Sequence, residues 1–396
     1  MIMPEHNINN DSQYEFCTSC QMCAAVCNKQ AITIALDSDG FYRPVIDEAL
    51  CVDCGLCVKV CVKYDNNITS TKNEELSGIS LFAASAKDDD IVAKTTSGGI
   101  ADLLAKQLIA EGYKVIGVVY NPQTNRAEGR IARNTKETDA FRGSKYIQSY
   151  NLDAFREFVK SCKKEKVAVF GLPCQIYAAH KLLERFDCRD NSILIDLYCH
   201  GCPSMLIWDK VSDQIKKRTG ADHYNMVNWR SKLKGWGQFV LETHGTNGSQ
   251  YHSEPLSNEF FDFFFSNQLL NDACNECKLR STLAYCDIRL GDFWGKDYKK
   301  TSRGVSAVSV VTERGLKLFS AIKNKMNFTS KNFSSFLPYQ SWGHSYSVDY
   351  ELRSEILGLL REKNSTLEKC IKPLKERWTM KKKLKTIIKQ ILFNFK

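Results

Sequence analysis

The sequence lacks the long apolar runs that membrane-spanning proteins need. No stretch of about 18 consecutive apolar residues occurs, although 43% of the 396 residues are hydrophobic. Residues 1–13 are polar and do not contain the apolar segment of a secretory signal. We therefore expect a globular protein of the reducing cytoplasm, with about two or three domains at this length.

Net positive charge is nearly absent outside the C-terminal end. The net charge is +10, but residues 369–396 alone contain ten Lys or Arg residues against one acidic residue, Glu376. A nucleic-acid-binding protein more often carries its positive charge on the folded body, so we expect no nucleic-acid partner. The sequence also lacks a G-x-G-x-x-G fingerprint and therefore does not support a separate Rossmann site for NAD.

Cysteine, in contrast, is abundant, and 17 cysteines in a chain of this length indicate metal ligands rather than disulfides. Two runs repeat the spacing C-x2-C-x2-C-x3-C. They are Cys17, Cys20, Cys23, Cys27 and Cys51, Cys54, Cys57, Cys61. In this pattern three cysteines hold one 4Fe-4S cubane and the fourth ligates the other cluster. The predicted ligand sets are Cys17, Cys20, Cys23, Cys61 and Cys27, Cys51, Cys54, Cys57.

Zinc is the alternative for paired C-x2-C motifs, but zinc sites rarely use four-cysteine runs in duplicate. Between the runs, the sequence predicts a hairpin with Asp39 and Gly40 at its turn. Residues 14–64 resemble the bacterial two-cluster ferredoxins, except that Asn28 and Val62 replace the proline that usually follows the fourth cysteine. We predict an α+β ferredoxin domain over residues 1–68. Because so short a segment buries little apolar surface, its clusters should contribute its folding free energy.

The rest of the chain has a different pattern. A polar segment without periodicity, residues 65–77, is typical of a linker. From Ile79 short apolar runs alternate with longer helical segments, which predicts an α/β domain with a mostly parallel sheet over residues 78–330. Within it, residues 228–258 predict a β-hairpin, and a buried helix begins at Glu259. Residues 331–396 predict a helical basic tail.

Nine further cysteines remain, and four of them lie where ligands of a third cluster would. Cys174 and Cys199 each follow an apolar strand, at the edge where open α/β sheets bind ligands. Cys274 and Cys277 form another C-x2-C pair. These four would complete one cubane, although buried free cysteines also serve as small apolar residues. The competing ligands are Cys202 and Cys286.

Six motifs lie between residues 79 and 320. They are Ser97-Gly98-Gly99-Ile100, Gly143-Ser144-Lys145-Tyr146, Gly171-Leu172-Pro173-Cys174-Gln175, Leu197-Tyr198-Cys199, Cys274-Asn275-Glu276-Cys277 and Asp287-Ile288-Arg289-Leu290-Gly291-Asp292-Phe293-Trp294-Gly295. Together they resemble the coenzyme F420 hydrogenase/dehydrogenase beta-subunit family. In that family the cysteine of P-C-Q, the cysteine that ends the next strand and the C-x2-C pair hold one 4Fe-4S cluster beside an FAD. The resemblance implies Cys174, Cys199, Cys274 and Cys277 as ligands, and FAD as a cofactor.

Two of these motifs are candidates for holding the flavin. The candidate residues are Ser97, Gly98, Gly99, Gly143, Lys145 and Tyr146. The first three precede a helix and offer an N-cap serine and backbone N–H groups to a phosphate, although a glycine pair there is more often a plain cap. The lysine and tyrosine offer a charge and a ring, but a surface lysine is the alternative. His180 and His200 lie near the ligand motifs, and we assign no catalytic residue.

A flavin converts between the single electrons of iron-sulfur clusters and the hydride of organic substrates. We therefore predict an iron-sulfur flavoprotein oxidoreductase that passes electrons between three 4Fe-4S clusters, FAD and a substrate. The substrate is an F420-like deazaflavin or another small molecule, and the partner is an electron donor or acceptor protein. The alternative is a non-catalytic electron-transfer subunit that delivers electrons to a partner enzyme.

The C-terminal residues predict a basic amphipathic helix. Between Trp378 and Phe395 apolar residues fall mostly at helical spacing. The interleaved lysines are Lys381, Lys382, Lys383, Lys385 and Lys389. Such a helix either lies on the anionic inner membrane surface, as a peripheral contact, or packs on its own domain or a partner.

Overall fold

The computed structural model describes residues 7–8, 16–255 and 258–378. The helices are α1 (Met22–Ala25), α2 (Leu56–Lys59), α3 (Asn73–Ser77), α4 (Asp89–Lys94), α5 (Ile100–Ala110), α6 (Thr135–Thr138), α7 (Leu152–Ser161), α8 (Pro173–Arg185), α9 (Met205–Thr219), α10 (Glu259–Ser266), α11 (Glu313–Ala321), α12 (Phe333–Phe336), α13 (Tyr350–Arg361) and α14 (Leu367–Glu376). The strands are β1 (Ile32–Leu36), β2 (Tyr42–Ile46), β3 (Ser80–Ala86), β4 (Lys114–Asn121), β5 (Arg126–Ala132), β6 (Ser149–Tyr150), β7 (Val167–Phe170), β8 (Ser192–Leu197), β9 (Tyr224–Ser231), β10 (Val240–Gly245), β11 (Gln250–His252), β12 (Ile288–Asp292), β13 (Ser306–Val310) and β14 (Met326–Lys331).

The predicted hairpin between the two cysteine runs is present. Strands β1 and β2 pair antiparallel, with Ile32 opposite Ile46 and Leu36 opposite Tyr42. Asp37 closes the turn, because its Oδ1 accepts hydrogen bonds from the N–H groups of Asp39 and Phe41. Gly40 has a φ of 78°, a conformation that glycine adopts at little steric cost.

The largest sheet in the described residues has the strand order β14-β3-β13-β12-β8-β7-β4-β5-β6. Its four central strands, β12, β8, β7 and β4, are parallel, whereas β4 pairs antiparallel with β5, and β12, β13, β3 and β14 pair antiparallel in turn. The predicted α/β domain is confirmed, but the sheet is mixed rather than mostly parallel. The turn from β4 to β5 spans only residues 122–125, too few for the crossover that a parallel pair requires.

A second, smaller sheet consists of β9, β10 and β11 in antiparallel order. It contains the predicted hairpin and one further strand. The predicted buried helix follows as α10, whose four fully packed phenylalanines lie within two turns: Phe260, Phe261, Phe263 and Phe264. The structure therefore confirms a hairpin followed by a buried helix in this region.

The N-terminal residues pack directly against the larger part of the chain. Gln21 donates its amide to the Ser149 carbonyl at 2.9 Å and accepts from the Asn151 N–H at 2.6 Å. The buried Gln148 amide donates to the Gly40 carbonyl at 2.6 Å and to the Pro203 carbonyl at 3.2 Å. Apolar residues of α1 belong to the same buried cluster as those of α7 and α8. The cysteine-rich segment therefore shares a core with the α/β domain.

The polar segment 65–77 is more ordered than its sequence suggests. It contains helix α3, and it runs along the α/β domain. Thr71 donates its N–H to the Ser281 carbonyl at 2.8 Å, and its Oγ1 accepts from the Leu283 N–H. Asp65 accepts a hydrogen bond from the Tyr177 hydroxyl at 2.6 Å. The sequence of the segment does not reveal this order, because its side chains bond to residues more than 100 positions away and such contacts produce no periodic pattern. The proposed domain boundaries at 68 and 78 stay a prediction.

The C-terminal part is helical as predicted, with α12, α13 and α14 between residues 333 and 376. The basic amphipathic helix predicted near Lys381–Lys389 lies outside the described residues. Among the helices that the structure describes, none has the length and apolar character to cross a bilayer.

A buried ion pair stabilises the centre of the large sheet. Arg289 on β12 donates to both carboxylate oxygens of Asp196 on β8, at 2.7 and 2.5 Å. Both side chains are 2% exposed. Burial alone would lower the pKa of Arg289, but the Asp196 carboxylate raises it above the usual range, which keeps the guanidinium charged. Burial also raises the pKa of Asp196, against the lowering effect of Arg289.

Asp196→Ala should destabilise the protein strongly, because it leaves the Arg289 guanidinium buried without a counter-charge. We expect a loss of about 3–5 kcal/mol in the free energy of unfolding, measured by anaerobic thermal melting. The matched control is Asp297→Ala, which removes a partner of Lys331 from a surface pair and should change stability by less than about 1 kcal/mol. Equal melting temperatures for the two variants would contradict a stabilising role for the buried pair.

Candidate iron-sulfur and flavin sites

The two N-terminal cysteine runs fold into loops with the same backbone conformation. Ser19 and Asp53 lie between the first two cysteines of each run, and Gln21 and Gly55 lie between the second and third. All four residues have positive φ angles, of 58°, 48°, 69° and 68°. Non-glycine residues adopt this left-handed conformation only rarely. The repeat in cysteine spacing is therefore also a repeat in backbone conformation.

One cavity beside the first loop is lined by four cysteines: Cys17, Cys20, Cys23 and Cys61. Burial raises the pKa of Cys20 to about 11 and also raises the pKa of Cys61. The thiols of this set raise one another's pKa further, since neighbouring negative charges repel. These are the four cysteines that the spacing assigns to one cluster. Bound metal ions would compensate the negative charge of four thiolates at this position.

The second set lies closer to solvent. Burial raises the pKa of Cys57, and the nearby thiols of Cys54 and Cys27 raise it further. Asn7 donates its side-chain amide to the Cys51 sulfur at 3.8 Å. Cys54 is exposed, and so is a nearby apolar residue of the same loop, Val52, at 58%. The second predicted cluster site therefore has one face open to the surface.

A third group of thiols gathers at the carboxyl edge of the large sheet. Cys174 lies in the first turn of α8, immediately after β7, and Cys199 follows the neighbouring strand β8. Cys274 and Cys277 come from the loop after α10. Burial raises the pKa of Cys174 well above its ordinary value, and the other three thiols raise it further. The structure thus brings together the four residues of the implied ligand set.

The loop with the C-x2-C pair is held against the end of β8 by backbone contacts. Pro203 and Leu270 form an antiparallel bridge. Asn271 donates its N–H to the Cys202 carbonyl at 2.8 Å, and its carbonyl accepts from the Cys274 N–H at 2.7 Å. Two segments about 70 residues apart in the sequence therefore meet through main-chain hydrogen bonds.

The two competing cysteines differ in their surroundings. The thiol of Cys202 lies near those of Cys274 and Cys199, which raise its pKa beyond the effect of burial. Cys286 instead donates to the Leu283 carbonyl and lies beside Asp196 and Arg289. Cys202 is therefore within the third group as a fifth thiol, and Cys286 is not part of it. The choice between Cys199 and Cys202 as ligand stays a prediction.

A buried cation lies against the third group. Arg280 is 4% exposed and donates to the carbonyls of Cys274, His200 and His344. In the part of the chain that the structure describes, no carboxylate pairs with it. Its charge counteracts the rise in pKa of the Cys199 and Cys274 thiols. A buried guanidinium without a carboxylate needs another negative partner, and thiolates ligating a cluster would supply it.

The first and third thiol groups are neighbours. The thiol of Cys20 is the nearby charge with the largest effect on Cys174, second only to burial in raising its pKa. Arg43 lies between the groups, since it donates to the Cys17 carbonyl at 2.7 Å and lowers the pKa of Cys202 against the effect of burial. The three groups therefore follow one another from the surface at Cys54 to the sheet edge.

The first candidate flavin segment packs closely against the ends of the neighbouring strands β3 and β13. Ser97 donates its hydroxyl to the Val305 carbonyl at 2.9 Å, and Gly99, with a φ of 82°, is the N-cap of α5. The expected N-cap serine is therefore wrong. A Cβ atom on Gly98 would lie 2.3 Å from the Ala84 carbonyl oxygen and 2.8 Å from the Ser306 nitrogen. Gly98 is required for packing, whatever the segment binds.

The second candidate segment lies beside the first, because Ser144 donates its N–H to Thr96 Oγ1 at 2.7 Å. Gly143 has a φ of 79°. The Lys145 amine donates to the carbonyls of residues 140, 141 and 142, at 3.2, 3.1 and 2.9 Å, and burial lowers its pKa to about 7. Its position orders the loop. Tyr146 makes a different contact, in which its hydroxyl accepts from Arg230 at 2.8 Å.

Sequence reasoning missed the polar cluster around Arg230. This side chain is 1% exposed, donates to Asp292 at 3.1 Å, and lies 4.0 Å from the Phe239 ring centroid. Trp236 donates its indole N–H to the same carboxylate and stacks on Trp294. Asp292 and Trp294 stand in a motif that carried the family resemblance, and that motif was the available signal. Arg230 itself stands in no motif.

The two histidines near the ligands make ordinary structural contacts. His180 bonds to Glu184 at 3.1 Å within its own helix. His200 contacts the Asn267 amide oxygen, the Ser341 hydroxyl and the Tyr346 hydroxyl. Burial lowers the pKa of His200 to about 4, so it is neutral at physiological pH.

Family models match three consecutive parts of the chain. Residues 16–63 match the 4Fe-4S dicluster domain, residues 81–156 the N-terminal region of the coenzyme F420 hydrogenase/dehydrogenase beta subunit, and residues 164–335 its C-terminal region. The chain belongs to this beta-subunit family. The two beta-subunit models together span well over half of the sequence, and they cover both the candidate flavin segments and the third group of cysteines.

Several curated proteins are similar to this beta-subunit family member. One subunit of the F(420)H(2) dehydrogenase of Methanosarcina mazei is 24% identical over 79% of this chain and 84% of that protein. The coenzyme F420-dependent sulfite reductase of Methanocaldococcus jannaschii is 29% identical over 46% of this chain and 27% of that protein. A chain of the F420-reducing NiFe hydrogenase complex of Methanosarcina barkeri superimposes with a TM-score of 0.47 and 19% identity, covering 79% of this chain and 94% of that one.

Family membership and the dicluster domain identify an iron-sulfur protein that transfers electrons as an oxidoreductase or as part of one.

The iron and sulfide content of the protein tests the predicted cluster ligands. Anaerobically purified protein should contain about twelve iron atoms and twelve acid-labile sulfides, four of each per cubane. Cys174→Ser should remove up to about four of each and leave the N-terminal pair intact, because the N-terminal clusters have their own ligands.

Two matched cysteine variants serve as controls. Cys286→Ser and Cys202→Ser should keep the full iron content, since neither is in the implied ligand set. If Cys202→Ser loses iron instead, Cys202 and not Cys199 is the ligand. A wild-type content of only about eight iron atoms would contradict the prediction of a third cluster.

Proposed function

We propose that this chain is an iron-sulfur flavoprotein oxidoreductase in which electrons pass between two ferredoxin-type clusters, a third 4Fe-4S cluster, FAD and a small-molecule substrate. The observation that carries the proposal is the succession of neighbouring thiol groups. The exposed Cys54 belongs to the outer group, Cys20 lies near enough to Cys174 to raise its pKa, and Cys199 lies near enough to Tyr146 to raise its pKa. Redox groups placed in such a succession would exchange electrons over short distances.

The flavin would occupy the region bordered by Thr96–Gly99, residues 143–146 and Arg230. This region lies near the third thiol group. The Cys199 thiol is close enough to raise the pKa of Tyr146 in addition to the effect of burial. Lys232 connects the two sides, since its amine donates to the Ser97 carbonyl at 2.6 Å while the charges of Arg230 and Asp292 act on its pKa.

The residues present fit a flavin with its phosphates. The Nε atom of Arg230 is buried and has no hydrogen-bond partner within the described residues. Burial lowers the pKa of Lys232 to about 8, which leaves it mostly cationic at neutral pH. Cations with unused donors suit an anionic or carbonyl-rich ligand, and Trp294 and Phe239 offer flat apolar surfaces. Bound FAD would exchange hydride with a substrate and single electrons with a cluster.

The protein partner would meet the chain at the outer cysteine loop. Leu50 and Val52 flank Cys51 and are 50% and 58% exposed. Apolar side chains beside an exposed cluster ligand favour a short-lived contact with another electron carrier. Two relatives, the F(420)H(2) dehydrogenase subunit of Methanosarcina mazei and the coenzyme F420 hydrogenase subunit beta of Methanococcus voltae, are named as subunits, which supports a protein partner here.

The substrate we propose is an F420-like deazaflavin, because the relatives' names contain this coenzyme. The second candidate function is a non-catalytic subunit that delivers electrons to a partner enzyme. The same subunit names favour it, since a subunit can depend on another chain for chemistry. Localisation at a membrane surface through the basic amphipathic helix stays a separate proposal, because residues 379–396 lie outside the described residues.

Arg230→Met should weaken the binding of FAD by at least about tenfold, since it removes the buried charge and its free donor while keeping much of the apolar stem. The measurement is the FAD-to-iron ratio of anaerobically purified protein. The iron content should stay at its wild-type value, which separates loss of flavin from unfolding. The control is Lys300→Ala, an exposed cation of the same domain. An unchanged FAD-to-iron ratio in Arg230→Met would show that this residue does not bind the flavin.

Reduced F420 distinguishes the two candidate functions. Added anaerobically to the purified chain, it should bleach the flavin absorbance and then produce the electron paramagnetic resonance signals of reduced clusters. If only a reduced partner protein reduces the clusters, the chain is the delivery subunit. Cys174→Ser should still bleach its flavin but reduce its N-terminal clusters more slowly, since the third group lies between them.

A further inference from the structure

The small sheet carries a cluster of side chains that the redox sites do not use. Along β10, Leu241 and Thr243 face the core, and Glu242 and His244 face outward. Side chains alternate between the two faces of a strand, so the outward pair lies on one surface. On the edge strand β11, His252 is exposed beside them. Two imidazoles and one carboxylate therefore share the outer face of this sheet.

The strand register fixes their proximity. Glu242 lies directly opposite His252 in the antiparallel pair, and His244 is two residues along β10 on the same face. The Glu242 carboxylate oxygen Oε1 lies 3.0 Å from His244 Nε2 and 3.6 Å from His252 Nε2. One ligand atom from each residue lies within 4.8 Å of the other two.

The two distances from the carboxylate are close to the donor spacing of a zinc site. Zinc binds imidazole nitrogen and carboxylate oxygen at about 2.0–2.2 Å in tetrahedral geometry, so neighbouring donor atoms lie about 3.3–3.6 Å apart. The two distances from the carboxylate, 3.0 and 3.6 Å, fall around that value. Without a metal, the His244 ring hydrogen-bonds to the Glu242 carboxylate, and the His252 ring lies 3.6 Å from the same oxygen.

The backbone that carries the three residues is well supported. Leu241 and Ser253, the residues adjoining Glu242 and His252, exchange hydrogen bonds in both directions, through Ser253 Oγ at 2.9 Å and the Leu241 carbonyl at 2.9 Å. Both are buried. Ligands on paired strands are held more precisely than ligands on loops. The Glu242 side chain is only 13% exposed, so its carboxylate is partly shielded from competing water.

We propose that Glu242, His244 and His252 bind one divalent zinc ion, with the fourth position open to water or to a ligand from outside the chain. Two histidines and one glutamate are a known ligand set for zinc with an open position. The ion would join β11, a strand of three residues, to β10 and so stabilise the edge of the small sheet. The site is independent of the cluster and flavin proposals, because it shares no residue with them.

The experiment measures zinc binding to the holoprotein, with its clusters intact and any affinity tag removed. Equilibrium dialysis against Zn²⁺, followed by elemental analysis of zinc and iron, gives the number of zinc ions per chain. Wild type should bind one more zinc ion than His252→Asn or His244→Asn. Glu242→Gln should weaken binding at this site at least about tenfold, because loss of even a supporting residue costs 10–100-fold in affinity.

His223→Asn is the matched control, since this histidine is exposed immediately before β9 and lies outside the cluster. It should bind as much zinc as wild type. A second measurement is hydrogen exchange of the β11 amides, which zinc should slow in wild type and in His223→Asn but not in His252→Asn. Equal zinc content in all variants, or zinc protection that persists in both His244→Asn and His252→Asn, would overturn the proposal. Iron content verifies that each variant is folded.

Discussion

The burial of thiols beside one another is the constraint on which the rest of this structure depends. Cys23 and Cys174 are partly buried, and neighbouring thiols add to a pKa that burial has already raised. Such groups are neutral without a metal, so metal binding must displace protons and couple to folding. Arg280 is a buried cation in the same region, and cluster-bound thiolates would supply the negative charge that its carbonyl partners lack. Charge balance therefore joins the metal sites to the stability of the chain.

The cysteine-rich segment is integrated into the α/β domain through polar side chains as well as apolar ones. Gln21 and Gln148 are almost fully buried, and each uses its amide to connect the two parts. A buried amide that loses such partners costs about 1–3 kcal/mol. Separation of the two parts would thus expose apolar surface and also leave these groups unsatisfied.

What the sequence could predict depended on the range of the interactions. Cysteine spacing grouped Cys17 with Cys61 because the repeat itself encodes the exchange of the fourth ligand, and strand ends indicated Cys174. The mixed sheet was missed because antiparallel flanks follow from short turns such as residues 122–125 and from strands added late in the chain. Arg230 was missed because its partners, Tyr146 and Asp292, are 84 and 62 residues away and no local pattern joins them.

The adjacency of Cys20 and Cys174 has a kinetic consequence. Both are fixed to one rigid framework, since the Gln148 amide bridges the hairpin turn at Gly40 and the loop at Pro203. Electron exchange between the groups they hold would be a unimolecular step whose rate is independent of protein concentration. Exchange with another carrier at the exposed Cys54 face would be bimolecular and would vary with the concentration and the charge of that carrier. Ionic strength should therefore act on the outer step and leave the inner one unchanged.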